Sequence, residues 1–177
     1  GLGYVADERA LLEAFLEHVR RADPDVLTGW NVVDFDLLTL QRLAERERIP
    51  FALGRGGERA KVLPPRSDQQ PYVVRVGGRV VLDGIATLKA ATWSFESFSL
   101  EHVGQKLLGR GKRIAHDGDP VAEIRRLYRE DKPALAAYNL EDCRLVLDIV
   151  EAADLLGFAV QRQALTGLPL DRQGGSV

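Results

Sequence analysis

Cysteine occurs once in the 177 residues, at Cys143. A single thiol excludes an internal disulfide framework and fits a reducing, cytoplasmic setting. Histidine is scarce as well: His18, His102 and His116 are scattered, and with one cysteine they make a zinc site improbable. No apolar run approaches the roughly 18 residues that a membrane span needs, so no membrane partner is expected. The opening residues, Gly1-Leu2-Gly3-Tyr4-Val5-Ala6-Asp7-Glu8, carry neither the basic start nor the apolar stretch of a signal peptide. An excess of positive charge is missing too. The formal net charge is −2, which excludes a non-specific basic nucleic-acid coat; a mildly acidic protein can still hold DNA where metal ions shield the phosphates. What is present is 45% hydrophobic and 28% charged residues, the balance of one globular domain able to bury a core.

Along the chain, Leu11, Leu12, Phe15, Leu16 and Val19 recur at helical spacing, so an amphipathic helix is expected over 7–22 with Asp7 as its cap. Asp23-Pro24-Asp25 stops it. The run 26–30 reads as a buried strand, and a second helix is expected from about 34 to 48, ended by Ile49-Pro50. Residues 53–71, rich in Gly, Pro, Arg and Ser, read as one long loop. Two β-branched runs, 73–76 and 79–82, flank Gly77-Gly78 and predict a hairpin. Short helices are expected over 85–91 and 100–108, a polar loop over 109–120, helices over 121–130 and 134–156, and an irregular tail from 166. Strand, helix, hairpin and further helices make an α/β domain.

Two places carry chemistry. Asn31-Val32-Val33-Asp34-Phe35-Asp36 follows a strand and opens a helix, where α/β sheets tend to place ligands. On a wheel of 100° per residue Asp36 shares a face with Leu40 and Leu43; the plainer reading is a first-turn carboxylate stabilised by the helix dipole. On the later helix Asp142 lies within an apolar stripe of Leu135, Tyr138, Leu145, Val146, Ile149 and Ala153, while Glu141, Arg144, Asp148 and Glu151 form the polar face. An aspartate there must be paired or bind a metal, and a structural ion pair with an arginine is the plainer alternative. Tyr138, one turn earlier on the same face, is a catalytic hydroxyl or simply a core residue with its hydroxyl at the rim. Asp83 ends a run of strand and reads as a turn residue, with site involvement as a lesser alternative.

Taken together, Asn-x-x-x-Phe-Asp at 31–36 and Tyr-x-x-x-Asp at 138–142, about a hundred residues apart, resemble the second and third exonuclease motifs of family B DNA polymerases. The neighbouring text is similar: Asp23-Pro24-Asp25-Val26, Gly29-Trp30-Asn31, Phe98-Ser99-Leu100-Glu101, Leu107-Leu108-Gly109, Asp131-Lys132-Pro133-Ala134-Leu135 and Tyr138-Asn139-Leu140-Glu141-Asp142-Cys143. The resemblance covers nearly the whole chain and implies a ribonuclease-H-like, DnaQ-type 3′→5′ exonuclease fold. It also implies proofreading: hydrolysis of the phosphodiester at a single-stranded primer 3′ end by two carboxylate-held ions, Mg²⁺ or Mn²⁺. By the same resemblance Asp142 binds the metal that carries the attacking water, Asp36 acts through metal-bound water, and Tyr138 orients the nucleophile. Phe35 packs against the terminal bases, and Asn31 belongs with it on the substrate side.

One departure stands out. The family's first motif is Asp-x-Glu on an early strand, and no Asp in these 177 residues has Glu two positions on. The chain is therefore expected to be N-terminally truncated, with residues 1–165 a partial exonuclease domain and 166–177 a linker toward a polymerase domain. It is expected to be inactive alone and to self-associate through the edge that early strands would cover. A stand-alone exonuclease and a catalytically dead DNA-binding or scaffold domain are the rival readings.

Overall fold

The computed structural model describes residues 3–65, 67, 71–110 and 120–172. Parts of the expected loops over 53–71 and 109–120, with His116, and residues 173–177 of the expected tail lie outside them.

Helix α1 (Glu8–Ala22) begins where the Asp7 carboxylate accepts the Ala10 amide at 2.8 Å, and it ends on Asp23 in the left-handed region. The cap satisfies an amide with no intrahelical partner. Asp23 then binds Arg55, and Arg79 reaches the same oxygen at 2.9 Å. Strand β1 (Val26–Gly29) follows. It is half-buried along its length rather than buried, because it meets only one neighbour among the described residues.

The expected single helix over 34–48 divides into a π-helical turn, Val32–Leu37, and α2 (Leu38–Glu47). A π turn bonds residues five apart, so Val32 and Leu37 both face the core and Asp36 is left outside. The 100° wheel that aligned Asp36 with Leu40 and Leu43 does not apply there. Residues 53–71 are not one loop: they contain a 3-10 turn, Arg55–Gly57, and β2 (Lys61–Leu63).

The expected hairpin is also replaced. β3 (Val73–Arg75) pairs antiparallel with β2, while β4 (Val80–Asp83) pairs parallel with β1, Gly29 opposite Asp83. The glycines do make a tight turn, with Arg79 N–H donating to Val76 O at 3.3 Å and Gly78 at φ 70°. The cause of the switch is Arg79. Its buried guanidinium donates to Leu53 O at 3.0 Å, to Pro24 O and to Asp23, and a buried guanidinium must satisfy its donors. That anchor turns the chain away from β3 and onto β1.

Helices α3 (Gly84–Ala90), α4 (Leu100–Leu108) and α5 (Pro120–Glu130) follow. The long helix expected over 134–156 is two: α6 (Lys132–Ala152) and α7 (Leu155–Thr166), broken where Asp154 adopts φ 46°. The hydrophobic side chains gather into two cores. Leu12, Val19, Leu37, Ala44, Leu53, Val62, Val74 and Val81 fill one between α1, α2 and the strands. Leu88, Leu100, Val103, Leu145, Val146, Ile149 and Leu155 fill the other between α3, α4, α6 and α7. Trp30 packs on the second core while Val32 and Val33 belong to the first, so the 30–33 link crosses from one to the other.

Candidate active site

The C-terminal end of β1 is where that crossing occurs. Asn31 sits at φ 58°, ψ 34° and starts the π turn, with Phe35 N–H donating to its carbonyl at 3.1 Å. Asparagine tolerates this left-handed conformation better than most side chains, which gives Asn31 a backbone reason for its place. The turn is locked from two sides. The Trp30 indole N–H donates to Phe98 O at 2.9 Å. A Cβ on Gly84 would lie 3.0 Å from the Trp30 ring and 3.2 Å from Gly29 O, so a side chain there would have to displace the ring or the end of β1 by a few tenths of an ångström.

From this turn Phe35 projects into solvent, 67% exposed, and the Asp36 carboxylate lies on the open side of the π turn. Surrounding protein mass pushes the Asp36 pKa up, and the negative charge of Asp83 adds to it. On α6 the expected face is as read. Leu145, Val146 and Ile149 are buried, Asp142 and Tyr138 are half-buried above them, Glu141 pairs with Arg144, and Asp148 pairs with Arg110. Cys143 lies within electrostatic reach of both motifs. Its thiol pKa is raised by burial, then by the Asp142 charge, then by the Asp36 charge.

Asp83 takes the connecting position between strand and helix that its place in the sequence implies. It ends β4 and caps α3, accepting the Ala86 amide at 3.0 Å. Its carboxyl pKa is raised by burial, with the charge of Asp34 adding to this, while the amides of Ala86, Val32 and Val33 partly offset the rise. Asp83 therefore reaches toward the π turn that carries Asp36. The signal available in the sequence was an acid between a strand and a Gly-started helix, Leu82-Asp83-Gly84.

A raised carboxyl pKa has a definite consequence for stability. The folded protein keeps a proton that the unfolded chain releases, so this group's stabilisation is complete below the ordinary carboxylate range and is lost as pH rises through its elevated pKa. Asp83→Asn keeps the cap without the charge. The variant should melt at or above wild type at neutral pH, and wild type should regain ground in acid. Asp83→Ala, which loses the cap, should cost about 1 kcal/mol or more. Parallel melting curves of wild type and Asp83→Asn across pH would contradict this reading of Asp83.

The donors are oxygens, the type that suits Mg²⁺ or Mn²⁺. Their number falls short: among the described residues no group of three or more His, Cys, Asp and Glu side chains is placed to hold an ion. An ion here would need donors beyond those described.

A family model, the exonuclease domain of family B DNA polymerases, matches residues 3–103. The chain belongs to this family. Membership implies a ribonuclease-H-like fold, with which the mixed α/β architecture is consistent. Among its relatives, DNA polymerase II of Escherichia coli (strain K12) is 47% identical over 176 residues, 99% of this chain and 22% of that protein. The DNA polymerase of Thermococcus kodakarensis is 28% identical over 168 residues, 94% of this chain and 10% of its own length. The DNA polymerase delta catalytic subunit of Caenorhabditis elegans is 25% identical over 175 residues, 93% of this chain and 16% of its own. The chain thus spans a small part of each relative. No described helix is long and apolar enough to cross a membrane.

Proposed function

We propose that these residues are most of the proofreading 3′→5′ exonuclease domain of a family B DNA polymerase, hydrolysing the phosphodiester of a single-stranded primer 3′ end. The observation that supports this is the match of residues 3–103, Asp36 among them, to the exonuclease domain of family B DNA polymerases, together with the Tyr-x-x-x-Asp motif at 138–142. When bound, a pair of Mg²⁺ or Mn²⁺ ions would supply a nucleophile at neutral pH and stabilise the attacking and leaving oxygens. Asp142 and Asp36 would contribute carboxylate oxygens toward them, Asp36 through water. No Asp in the 177 residues has Glu two positions on, so the Asp-x-Glu carboxylates of such a site would come from outside them. Tyr138, one turn from Asp142, would orient the attacking water. Phe35, exposed and rigidly mounted, would stack on the terminal bases, with Asn31 shaping the turn that presents it. The test is removal of a mismatched 3′ nucleotide by the polymerase that carries these residues, lost in Asp142→Ala.

The open side of the small sheet supports self-association of the isolated chain. Val26, Thr28, Leu82, Leu147, Val150, Leu155 and Leu156 line a groove of about 200 Å³, and Leu147, Leu156 and Val160 are exposed beside it. Among the described residues no strand flanks the other edge of β1, and such edges recruit a second chain. Light scattering at high concentration should find dimers or larger species that Leu147→Glu disperses; a strictly monomeric wild type would count against this.

A further inference from the structure

One feature is not used by the proposed chemistry: an aromatic cluster at the end of α3. The Trp93 and Phe95 rings stack with centroids 5.9 Å apart and planes within 5°, and Phe95 meets Phe98 edge-on at 5.5 Å. Lys89 places its ammonium 4.9 Å from the centre of the Phe98 ring. Trp93 remains 40% exposed and Lys89 is exposed as well. The cluster is tied to the candidate site, since Phe98 O accepts the indole N–H of Trp30, the residue before Asn31.

The backbone that presents Trp93 is held against its preference. Thr92 adopts φ 64°, a conformation that a β-branched residue rarely takes and that costs on the order of a tenfold or greater change in population. Two bonds hold it there: Thr92 N–H donates to Lys89 O at 3.1 Å and Trp93 N–H to Leu88 O at 3.0 Å. This is the Schellman pattern of a helix C-terminus, in which the left-handed position is usually glycine and the next residue makes an apolar contact back to the helix. Helix capping accounts for an apolar residue at 93. It does not account for an aromatic one, stacked in parallel on a second ring, with a cation beside the group and the indole two-fifths exposed.

We infer that the Trp93–Phe95 stack with Lys89 is a second base-stacking platform for single-stranded DNA, beside the one that Phe35 would form. Every nucleobase has a π face, so such a platform is tolerant of sequence, and Lys89 supplies a cation for the backbone of the same strand. The platform gives a mildly acidic domain a way to hold a frayed strand by its bases rather than by charge. This inference rests on the nucleic-acid reading above.

The test is binding of this chain to an oligothymidylate of about a dozen nucleotides, followed by tryptophan fluorescence, against an abasic strand of equal length. Trp93→Leu keeps the apolar contact of the helix cap and removes the π face; Trp93→Phe keeps both. Trp93→Leu should weaken oligothymidylate binding roughly 5- to 150-fold, the worth of one stacked base. It should leave abasic-strand binding unchanged and abolish the fluorescence quench. Trp93→Phe should bind within a few-fold of wild type. Lys89→Ala should weaken both strands alike and flatten the salt dependence. Wild-type-like binding by Trp93→Leu, with Phe35→Leu impaired, would overturn the platform and leave the proposed site standing. Equal weakening of both strands by Trp93→Leu would also overturn it. Failure of the wild type to bind either strand would overturn the platform, and the proposed function would still be decided by digestion with the whole polymerase.

Discussion

Asp142→Ala, introduced into the polymerase that carries these residues, is expected to lower 3′→5′ hydrolysis by at least about 1,000-fold and to leave nucleotide incorporation near normal. A metal-held carboxylate serves several kcal/mol of transition-state charge stabilisation, and each ~1.4 kcal/mol is a factor of ten in rate. Asp142 stands half-buried over Leu145, Val146 and Ile149, so the alanine side chain fits the face without a cavity and the loss is chemical. Asp36→Ala should show the same split between the two activities. Its carboxylate lies outside the π turn whose core contacts are Val32 and Leu37. Tyr138→Phe keeps the ring and removes the hydroxyl, so its deficit should be smaller, on the order of 10- to 1,000-fold, as for a group that orients water rather than holding a metal. Rates of single-stranded DNA digestion and of primer extension, measured on the same preparations, check all three. Equal losses for Tyr138→Phe and Asp142→Ala would require a larger role for the hydroxyl. Unchanged digestion in Asp142→Ala would remove the site assignment.

The second large effect concerns the chain by itself. The 177 residues should not digest single-stranded DNA with Mn²⁺, whereas a protein extended to include an Asp-x-Glu strand should. No Asp in the sequence has Glu two positions on, and no described cluster can hold an ion. Mg²⁺ sheds its waters reluctantly, and one or two separate carboxylates would bind it with affinity on the order of millimolar or weaker. Without a fixed ion the attacking water keeps its bulk-water pKa, far above neutral pH, and the leaving oxygen has no cation beside it. A net charge of −2 gives no electrostatic help in concentrating the strand. Side-by-side digestion by the two proteins decides the matter. Metal-dependent cleavage by the 177 residues alone, abolished by Asp142→Ala, would mean that the required carboxylates have been misidentified.

Much of this protein is legible one residue at a time. Caps at Asp7, Asp83, Ser99 and Asp131 lie at or beside helix starts, because a side-chain oxygen that satisfies a free amide is a local interaction. The apolar stripe of α6 is likewise a periodicity: it put Leu145, Val146 and Ile149 in the core, with Tyr138 and Asp142 half-buried beside them. The family, too, was carried by motif text.

Tertiary structure decided what depends on partners far along the chain. Gly77-Gly78 makes its turn as local chemistry requires, yet β3 and β4 part because Arg79 must bond Leu53, Pro24 and Asp23, up to 56 residues away. The π turn at Val32–Leu37 arises where one chain must serve two cores, Trp30 in one and Val32 in the other; no helical period in the sequence contains that constraint. The place of Asp83 beside the turn, and the effect of Asp36 and Asp142 on one thiol, come from parallel pairing of β1 with β4 and from the packing of α6. Residue type specifies what chemistry a side chain can do, and the long-range hydrogen bonds and core contacts determine which of them meet.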